Sequence, residues 1–299
     1  MRLVAAILCW LVATVALAMA VPAWWAQRNL IDADGYAALA YSAARDPTLQ
    51  DAMASELTAQ VRVIAGNHGY NINDTVVRAA ATAYTTGPAF PGQFADLNRT
   101  AHTWLFANAP PDGRWEIDLA PMLSNTTLHE TLSNFRVEVP SSVTVPVTQD
   151  TATTLRPGQL RSLATWGPWA SLGAAVLAGV MAFLTLAVAR RRSRALAALG
   201  VSALLVGGGG WAAMEVCRRY IGNALNQTTG NVRTIADVMV ANAEGGLHHW
   251  LNLTLAAGGA LVVFGVIVAA LGAALRGNAA QPGNAAQRGN AAQRGKQRR

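Results

Sequence analysis

Four long apolar stretches with almost no charged residues divide the chain, at residues 3–25, 167–189, 195–214 and 250–275. Each is about as long as the roughly 20-residue helix that crosses the 30 Å hydrocarbon core of a bilayer. A buried helix of a soluble protein would instead show polar residues at helical spacing along one side. Because none of the four stretches has such a polar side, the pattern predicts about four transmembrane helices.

The more polar segment between the first two stretches, residues 27–166, has the pattern of a folded, mainly helical domain. Asp46 and Pro47 are typical of an N-cap followed by proline in the first helical position, and they predict a helix that ends near Ala65. The apolar side of this helix would consist of Leu49, Met53, Leu57, Val61 and Ile64. Further helices are predicted over residues 74–85, 91–106, 120–135 and 157–166, the last running into the second apolar stretch.

An alternating pattern of apolar and polar residues occurs twice in the same segment, at residues 115–119 and 143–148. Alternation with a period of two is typical of a half-buried β-strand, and Pro146 confines the second strand to a sheet edge. The predicted fold class is therefore membrane α-helical. It comprises about four transmembrane helices plus a mainly α extracytoplasmic domain with a small two-stranded sheet.

The charged residues near the ends of the apolar stretches predict the orientation. One side carries no acidic residue, and its basic residues are Arg2, Arg190, Arg191, Arg192, Arg194, Arg276 and those of the C-terminal tail. Basic residues are retained on the cytoplasmic side of a membrane. We therefore expect both termini and the loop 190–194 in the cytoplasm, with residues 27–166 and the loop 215–249 outside. Residues 167–275 then hold three transmembrane helices.

The formal net charge of +7 follows from this cytoplasmic bias, so we predict the lipid bilayer as partner and no nucleic acid. Lys296 is the single lysine, and arginine is abundant beside alanine, glycine and valine. That composition is typical of a GC-rich bacterial genome. The expected localisation is a bacterial plasma membrane, which the protein crosses several times.

The first apolar stretch is open to two interpretations. Residues 1–20 have the layout of a secretory signal peptide, ending in the cleavage motif Ala18-Met19-Ala20. However, the apolar residues continue to Trp24 and Trp25, which suit the aromatic belt of a membrane interface. We favour an uncleaved signal-anchor helix over residues 1–26. Cleavage would leave three spans with the same orientation.

The tail, residues 276–299, is dominated by three copies of a hexapeptide, at residues 277–282, 283–288 and 289–294. With glycine in every copy and no large apolar side chain, it cannot form a core and is predicted to be disordered. Its basic residues could bind anionic lipids of the inner leaflet. We favour the simpler interpretation of a solvated tail that only helps to set the topology.

Two short motifs carry a resemblance to a known group of proteins. Residues 94–102 read Phe-Ala-Asp-Leu-Asn-Arg-Thr-Ala-His, and residues 115–121 read Trp-Glu-Ile-Asp-Leu-Ala-Pro. They resemble a group of uncharacterised actinobacterial integral membrane proteins, which also share a start like residues 29–36 and an Asp-Pro helix start like that at Asp46. The resemblance covers residues 1 to about 275, although Ile117 replaces the usual leucine. It implies one N-terminal span, an extracytoplasmic helical domain and three C-terminal spans, and it implies no reaction.

Three polar residues of the outer segment are candidates for a functional or structural role: Arg99, His102 and Asp118. His102 lies about one helical turn after Asn98 and could be a ligand or a general base. A lone, half-buried histidine more often only forms a hydrogen bond with a neighbour. Asp118 could pair with Arg99 or Arg114, and such a structural ion pair is favoured over acid–base chemistry.

The sequence has no recognisable motif of the common enzyme classes. The glycine run 207–210 lacks the Lys-Ser/Thr of a phosphate loop, so it suggests close helix packing or a weak point in the third span. His248 and His249 are adjacent and would point apart on a helix, so they cannot easily share one metal ion. We therefore assign no catalytic residue, no metal site and no cofactor.

The favoured function is a non-enzymatic envelope scaffold or accessory subunit whose outer domain binds an unknown envelope protein or lipid. A membrane sensor is the first alternative, although only a short loop and a disordered tail would remain in the cytoplasm to carry a signal. An envelope-modifying enzyme is the second alternative. It would need a polar cleft that the sequence does not reveal.

Overall fold

The computed structural model describes residues 2–67, 73–106, 116–118, 122, 144–146, 158, 160–189, 191–225 and 230–279. Within these ranges the chain is almost entirely helical. The helices are α1 (Arg2–Ala26), a π-helix (Gln27–Ile31), α2 (Ala33–Ala43), α3 (Pro47–Asn67), α4 (Asp74–Thr85), α5 (Phe90–Phe106), α6 (Arg161–Val188), α7 (Arg192–Leu225) and α8 (Gly230–Ala279).

The described residues also include two short strands, β1 (Glu116–Asp118) and β2 (Thr144–Pro146), one in each alternating stretch. They pair antiparallel, with Ile117 opposite Val145. Such a short two-stranded ladder is at most marginally stable alone, so helices dominate the fold. The helix predicted near residues 120–135 lies outside the described residues, except for Met122, which is helical and buried.

The capping signals in the outer segment are confirmed. Asp46 accepts a hydrogen bond from the backbone N–H of Thr48 at 2.7 Å, and α3 begins at Pro47. Asn73 caps α4 in the same way, by accepting a hydrogen bond from the N–H of Thr75 at 3.0 Å. The predicted apolar side of α3 is buried or packed against the core at Leu49, Met53, Leu57, Val61 and Ile64.

Two compact units make up the chain. The first comprises Met1–Ala18, Ala175–Gly209 and Leu251–Arg299, and the second comprises Met19–Ala174 and Gly210–Trp250. Each of the long helices α1, α6, α7 and α8 therefore contributes residues to both units.

The second unit has an apolar core built on α2 to α5. Phe90 and Leu49 are fully buried, and the Phe90 ring lies 5.7 Å from the rings of both Tyr84 and Phe94. The Tyr84 hydroxyl donates a hydrogen bond to Oε1 of Gln93, and burial raises the pKa of this tyrosine. The core therefore buries its one large polar group with a partner, as a stable interior requires.

The first part of α8 completes this core, and here the structure corrects a prediction. Residues 215–249, expected as an outer loop, are helical over 215–225 and 230–249. Ile235, Val238 and Met239 recur at helical spacing and pack against the core, while Nδ2 of Asn242 donates to the carbonyl O of Leu39 at 3.0 Å. Burial of this apolar side is the physical reason for the helix.

The far end of α8 also differs from the prediction. The helix continues to Ala279, so residues 276–279, expected to belong to the disordered tail, are helical. The rest of the predicted tail, residues 280–299, lies outside the described residues.

In the first unit, α7 and α8 meet at glycine residues. A Cβ atom on Gly200 would lie 2.7 Å from the carbonyl O of Gly258, and one on Gly258 would lie 2.9 Å from the carbonyl O of Gly200. No side chain fits at such distances, so glycine permits the close approach of the two backbones. Helix α1 joins α7 in the same unit, because Nε1 of Trp10 donates to the carbonyl O of Ala198 at 2.9 Å.

Within the glycine run in α7, Gly207 shows the predicted close packing, and Gly208 and Gly209 do not. A Cβ atom on Gly207 would lie 2.5 Å from Cγ of Leu255, whereas Gly208 and Gly209 have no atom within 4 Å of that position. The helix passes through the run without interruption. The glycine run therefore permits close packing of another helix at Gly207.

Among the described residues, four helical segments are long and apolar enough to cross a membrane: Val4–Ile31, Arg161–Val188, Arg192–Asn223 and Gly230–Leu275. Each covers all, or all but one residue, of one of the four predicted apolar stretches. Within the apolar window of each segment only 11% to 33% of the residues are buried inside the protein. Most of these apolar side chains therefore face outward, where lipid is the solvent that suits them.

Candidate functional site at the end of the first helix

The helix that begins as α1 ends in a π-helical turn. The backbone N–H of Asp32 donates to the carbonyl O of Gln27 at 2.9 Å, the five-residue spacing of a π-helix. Asp32 has an extended backbone, and its carboxylate accepts a hydrogen bond from the N–H of Gly35 at 2.8 Å, which caps α2. Because the chain leaves the helix here, the last carbonyl groups, including that of Leu30, lack a donor within the helix.

Gly35 allows α2 to pass close to the π-helical turn. A Cβ atom at this position would overlap the carbonyl O of Arg28 and would lie 2.7 Å from the carbonyl C of the same residue. Both obstacles are backbone atoms, which cannot rotate away as a flexible side chain could. The close approach of the two backbones therefore requires glycine.

His102, on α5, provides the donor that the helix end lacks. Its side chain is only 5% exposed, and Nε2 lies 3.0 Å from the carbonyl O of Leu30. A carbonyl oxygen can only accept a hydrogen bond, so Nε2 carries a proton and donates it. This hydrogen bond joins α5 to the end of the first helix, and it gives the candidate histidine a defined structural role.

Two aromatic rings enclose the imidazole. The Phe106 ring stacks on it at 4.2 Å with an angle of 15°, and the Tyr36 ring lies 5.2 Å away at 35°. Burial raises the pKa of the Tyr36 hydroxyl. The Nδ1 atom of His102 is buried and has no hydrogen-bond partner among the described residues. We call His102, Tyr36, Phe106 and the Leu30 carbonyl the His102 cluster.

Arg99 lies on the same helix but at the surface. Its guanidinium contacts Asp34 at 3.1 Å and Asp96 at 2.7 Å, and the arginine side chain is 44% exposed. Ion pairs this exposed contribute little to stability, with a median of about 0–1 kcal/mol. Both partners differ from the predicted one, Asp118. The backbone of Asp118 lies on β1, and its side chain is outside the described part of the protein.

The structure therefore places Arg99 and His102 on the helix that packs against α2, and it adds residues that the sequence did not single out. Asp32, Gly35 and Tyr36 all belong to this site. A signal was available, because an Asp that follows one helix and directly precedes another helical run is typical of an N-cap. The carbonyl of Leu30 gave no such signal, since every residue has one.

Other potential ligands do not converge within the described ranges, where no group of three His, Cys, Asp or Glu side chains could hold a metal ion. The His248 ring instead stacks on Trp211, with centroids 3.8 Å apart and an angle of 10° between the rings. His249 is exposed.

Fold and site together define a class, an α-helical membrane protein whose second unit carries a packed helical domain. Comparison with known proteins does not assign the chain to a family within this class. No protein-family model, curated protein or solved structure matches the chain.

Proposed function

We propose that the protein is a non-enzymatic, multi-pass protein of a bacterial plasma membrane, anchored by an uncleaved first helix. In this proposal residues 27–166 face outward, both termini are cytoplasmic, and the outer domain binds another envelope component as a scaffold or accessory subunit. The observation that carries the proposal is the hydrogen bond from His102 to the Leu30 carbonyl. This hydrogen bond supports a structural role for His102, the candidate residue whose side chain is best suited to acid–base catalysis.

The chemistry of the His102 cluster supports this interpretation. A general base must present a free nitrogen within hydrogen-bond reach of a substrate proton. Here Nε2 donates to a backbone carbonyl, and the unprotonated Nδ1 is buried out of reach of a substrate, with Phe106 and Tyr36 beside the ring. Arg99 in turn is paired with two carboxylates. His102 thus makes its contacts within the domain, so a binding function would reside on the surface of the domain.

The outer end of α7 offers such a surface. Val216, Tyr220 and Ile221 are exposed by 53%, 73% and 36%. On a helix with 100° per residue these three lie within one half of the circumference, whereas Glu215 and Arg218 lie on the other half. We call Val216, Tyr220 and Ile221 the α7 face. A helix with one exposed apolar side is typical of a protein–protein contact.

The position of the α7 face suggests the chemistry of its partner. The face lies within the segment Arg192–Asn223, which is long and apolar enough to cross a membrane, so a partner packing along it would be anchored in the same membrane. We therefore propose as partner an integral membrane protein that presents its own apolar helix beside Tyr220. The charged side of α7, with Arg219 and Glu215 4.0 Å apart, would remain in water.

Site-specific photocrosslinking in cells tests this proposal. A photoreactive amino acid is placed in the full-length protein at Tyr220 or, as a matched control on the opposite side of the same helix, at Arg218. We expect a discrete crosslinked protein from position 220 and none from position 218. The crosslinked species should disappear when Val216 is also replaced by aspartate, because a charge on the apolar side opposes its burial.

Three outcomes would contradict the proposal. Equal crosslinking from both positions would show that the α7 face is not selective. Crosslinking to lipid alone would make the face part of the membrane surface. Crosslinking to a second copy of the chain would make it a contact between identical subunits.

A further inference from the structure

Six of the nine tryptophans are concentrated near one end of the four apolar stretches. They are Trp24, Trp25, Trp166, Trp169, Trp211 and Trp250, and all six belong to the second unit. The first pair lies at the end of α1 and the second pair near the start of α6. Trp211 follows the apolar part of α7, and Trp250 precedes that of α8.

Contacts within the second unit place these tryptophans at a common level on the four helices. Gln27, two residues after Trp25, abuts Gly167, which lies between Trp166 and Trp169. A Cβ atom on Gly246 would lie 3.4 Å from Nε1 of Trp25.

The remaining contact ties α7 to α8 at the same level, because Trp211 stacks on His248, two residues before Trp250. Each of the four helices is therefore linked to another beside its own tryptophan.

Four of the six indole rings are exposed, whereas Trp25 is only 6% exposed and packs inside the unit. Trp169 is 71% exposed, Trp166 69%, Trp211 42% and Trp250 39%. Exposure of so much aromatic surface to water is unfavourable. An indole carries an apolar ring and one N–H donor, a combination that suits the boundary between lipid headgroups and acyl chains.

The spacing to the arginines supports the same boundary. In the sequence, an arginine lies about 20 to 25 residues from the tryptophans, toward the other end of each apolar stretch: Arg2, Arg190, Arg192 and Arg276. At 1.5 Å per residue, about 20 residues correspond to the roughly 30 Å of a hydrocarbon core. One set of residues thus suits one membrane face, and the other set suits the opposite face.

We propose that the tryptophans form a belt at the headgroup boundary of the outer leaflet, in which the exposed Trp166, Trp169, Trp211 and Trp250 bind phospholipid and Trp25 packs against the protein. This tryptophan belt fixes the depth of the protein in the membrane. Beyond Trp211, α7 continues to Leu225 for about 21 Å, and α8 runs from Gly230 to Trp250 over about 30 Å. Both extensions lie on the outer side of the belt, and the belt does not depend on the partner proposed for the α7 face.

Fluorescence quenching in vesicles tests the belt. The full-length protein is reconstituted in phosphatidylcholine whose acyl chains carry bromine either close to the headgroup or close to the terminal methyl group. We expect the shallow bromines to quench tryptophan emission about twofold more strongly than the deep ones, since indoles of a belt lie near the headgroups. This comparison needs no substitution, so it does not depend on the stability of a variant.

A pair of variants assigns the signal. The double variant Trp166→Phe and Trp169→Phe should lose a large part of the lipid-quenched emission, whereas Trp115→Phe, in the polar segment, should lose none. Stronger quenching by the deep bromines would overturn the proposal. It would also fail if the emission of Trp166 and Trp169 responded only to a water-soluble quencher, or to none, as burial against a second copy would cause.

Discussion

The side chain of His102 combines two properties that this position requires. Its ring stacks between Phe106 and Tyr36, and its Nε2–H satisfies the carbonyl of Leu30. Phenylalanine would keep the stacking without a donor, and asparagine would keep a donor without the ring. The ring contacts and the hydrogen bond thus explain how His102 can have a structural role, although the sequence also allowed a catalytic one.

The first prediction separates these two roles. His102→Phe should lower the free energy of unfolding by on the order of 1–3 kcal/mol, because it leaves the Leu30 carbonyl without its donor. The measurement is thermal unfolding of the purified full-length protein in detergent. His249→Phe, at an exposed position on α8, is the control and should leave the midpoint nearly unchanged.

Cellular assays of the same variant extend the test. A His102→Phe protein that melts and accumulates normally, yet reproduces the phenotype of a full deletion, would count against the structural role. Such a result would favour a ligand contact or catalysis at His102, since loss of a general acid or base can cost about 100- to 10,000-fold in rate while the fold survives.

The second prediction concerns Gly35. Gly35→Ala should destabilise the protein by about 1–3 kcal/mol, the usual cost of overpacking, because the added methyl group meets the Arg28 backbone. Gly66, within α3, has nothing within 4 Å of a Cβ. Gly66→Ala should therefore be neutral or stabilise by up to about 1 kcal/mol through helix propensity. If both variants melted alike, the close approach at Gly35 would be wrong.

At the scale of elements, the long helices α7 and α8 extend well past the apolar stretches that the sequence marked. Residues 230–249 were expected in a loop because their polar residues end the apolar run. Ile235, Val238 and Met239 nevertheless recur at helical spacing, and the core of the second unit buries them. The helical signal was present in the sequence. The abundance of Asn, Asp and Glu among these residues obscured it.

The third prediction tests the crossing of α7 and α8 with two adjacent glycines. Gly258→Ala should weaken the packing of these helices, because its Cβ would lie 2.9 Å from both the carbonyl O of Gly200 and the N of Leu204. Gly259 has open space at the same position, so Gly259→Ala should be tolerated. The readout is the temperature at which each protein loses its helical circular dichroism in detergent. Equal midpoints for the two variants would refute the crossing.

At the scale of the whole molecule, two independent features predict the orientation of the protein in the membrane. The basic residues and the tryptophan belt predict the same answer from different physics. Arginines near the ends of the spans favour the cytoplasmic side during insertion, and indoles favour the lipid–water boundary. The orientation can be checked with cysteines that the chain already contains.

The fourth prediction uses Cys217, which is exposed near the outer end of α7. A membrane-impermeant thiol reagent should label the wild-type protein on intact cells, and Cys217→Ser should abolish the labelling. In that background, Ser193→Cys should stay unlabelled until the cells are permeabilised, because the 190–194 loop is predicted to be cytoplasmic. Labelling of the Ser193→Cys protein on intact cells would reverse the topology.

Sequence alone determined what depends on neighbours along the chain. The four apolar stretches, the cap at Asp46 and the helix over residues 74–85 follow from composition, period and local hydrogen bonding, which are all short-range. Tertiary structure decided which of several similar residues makes a contact with a distant part of the chain. His102 engages a distant backbone carbonyl, Gly207 rather than Gly208 lies against another helix, and Gly258 rather than Gly259 lies at the crossing. These choices depend on distances between residues far apart in the chain, and such distances exist only once the helices have packed.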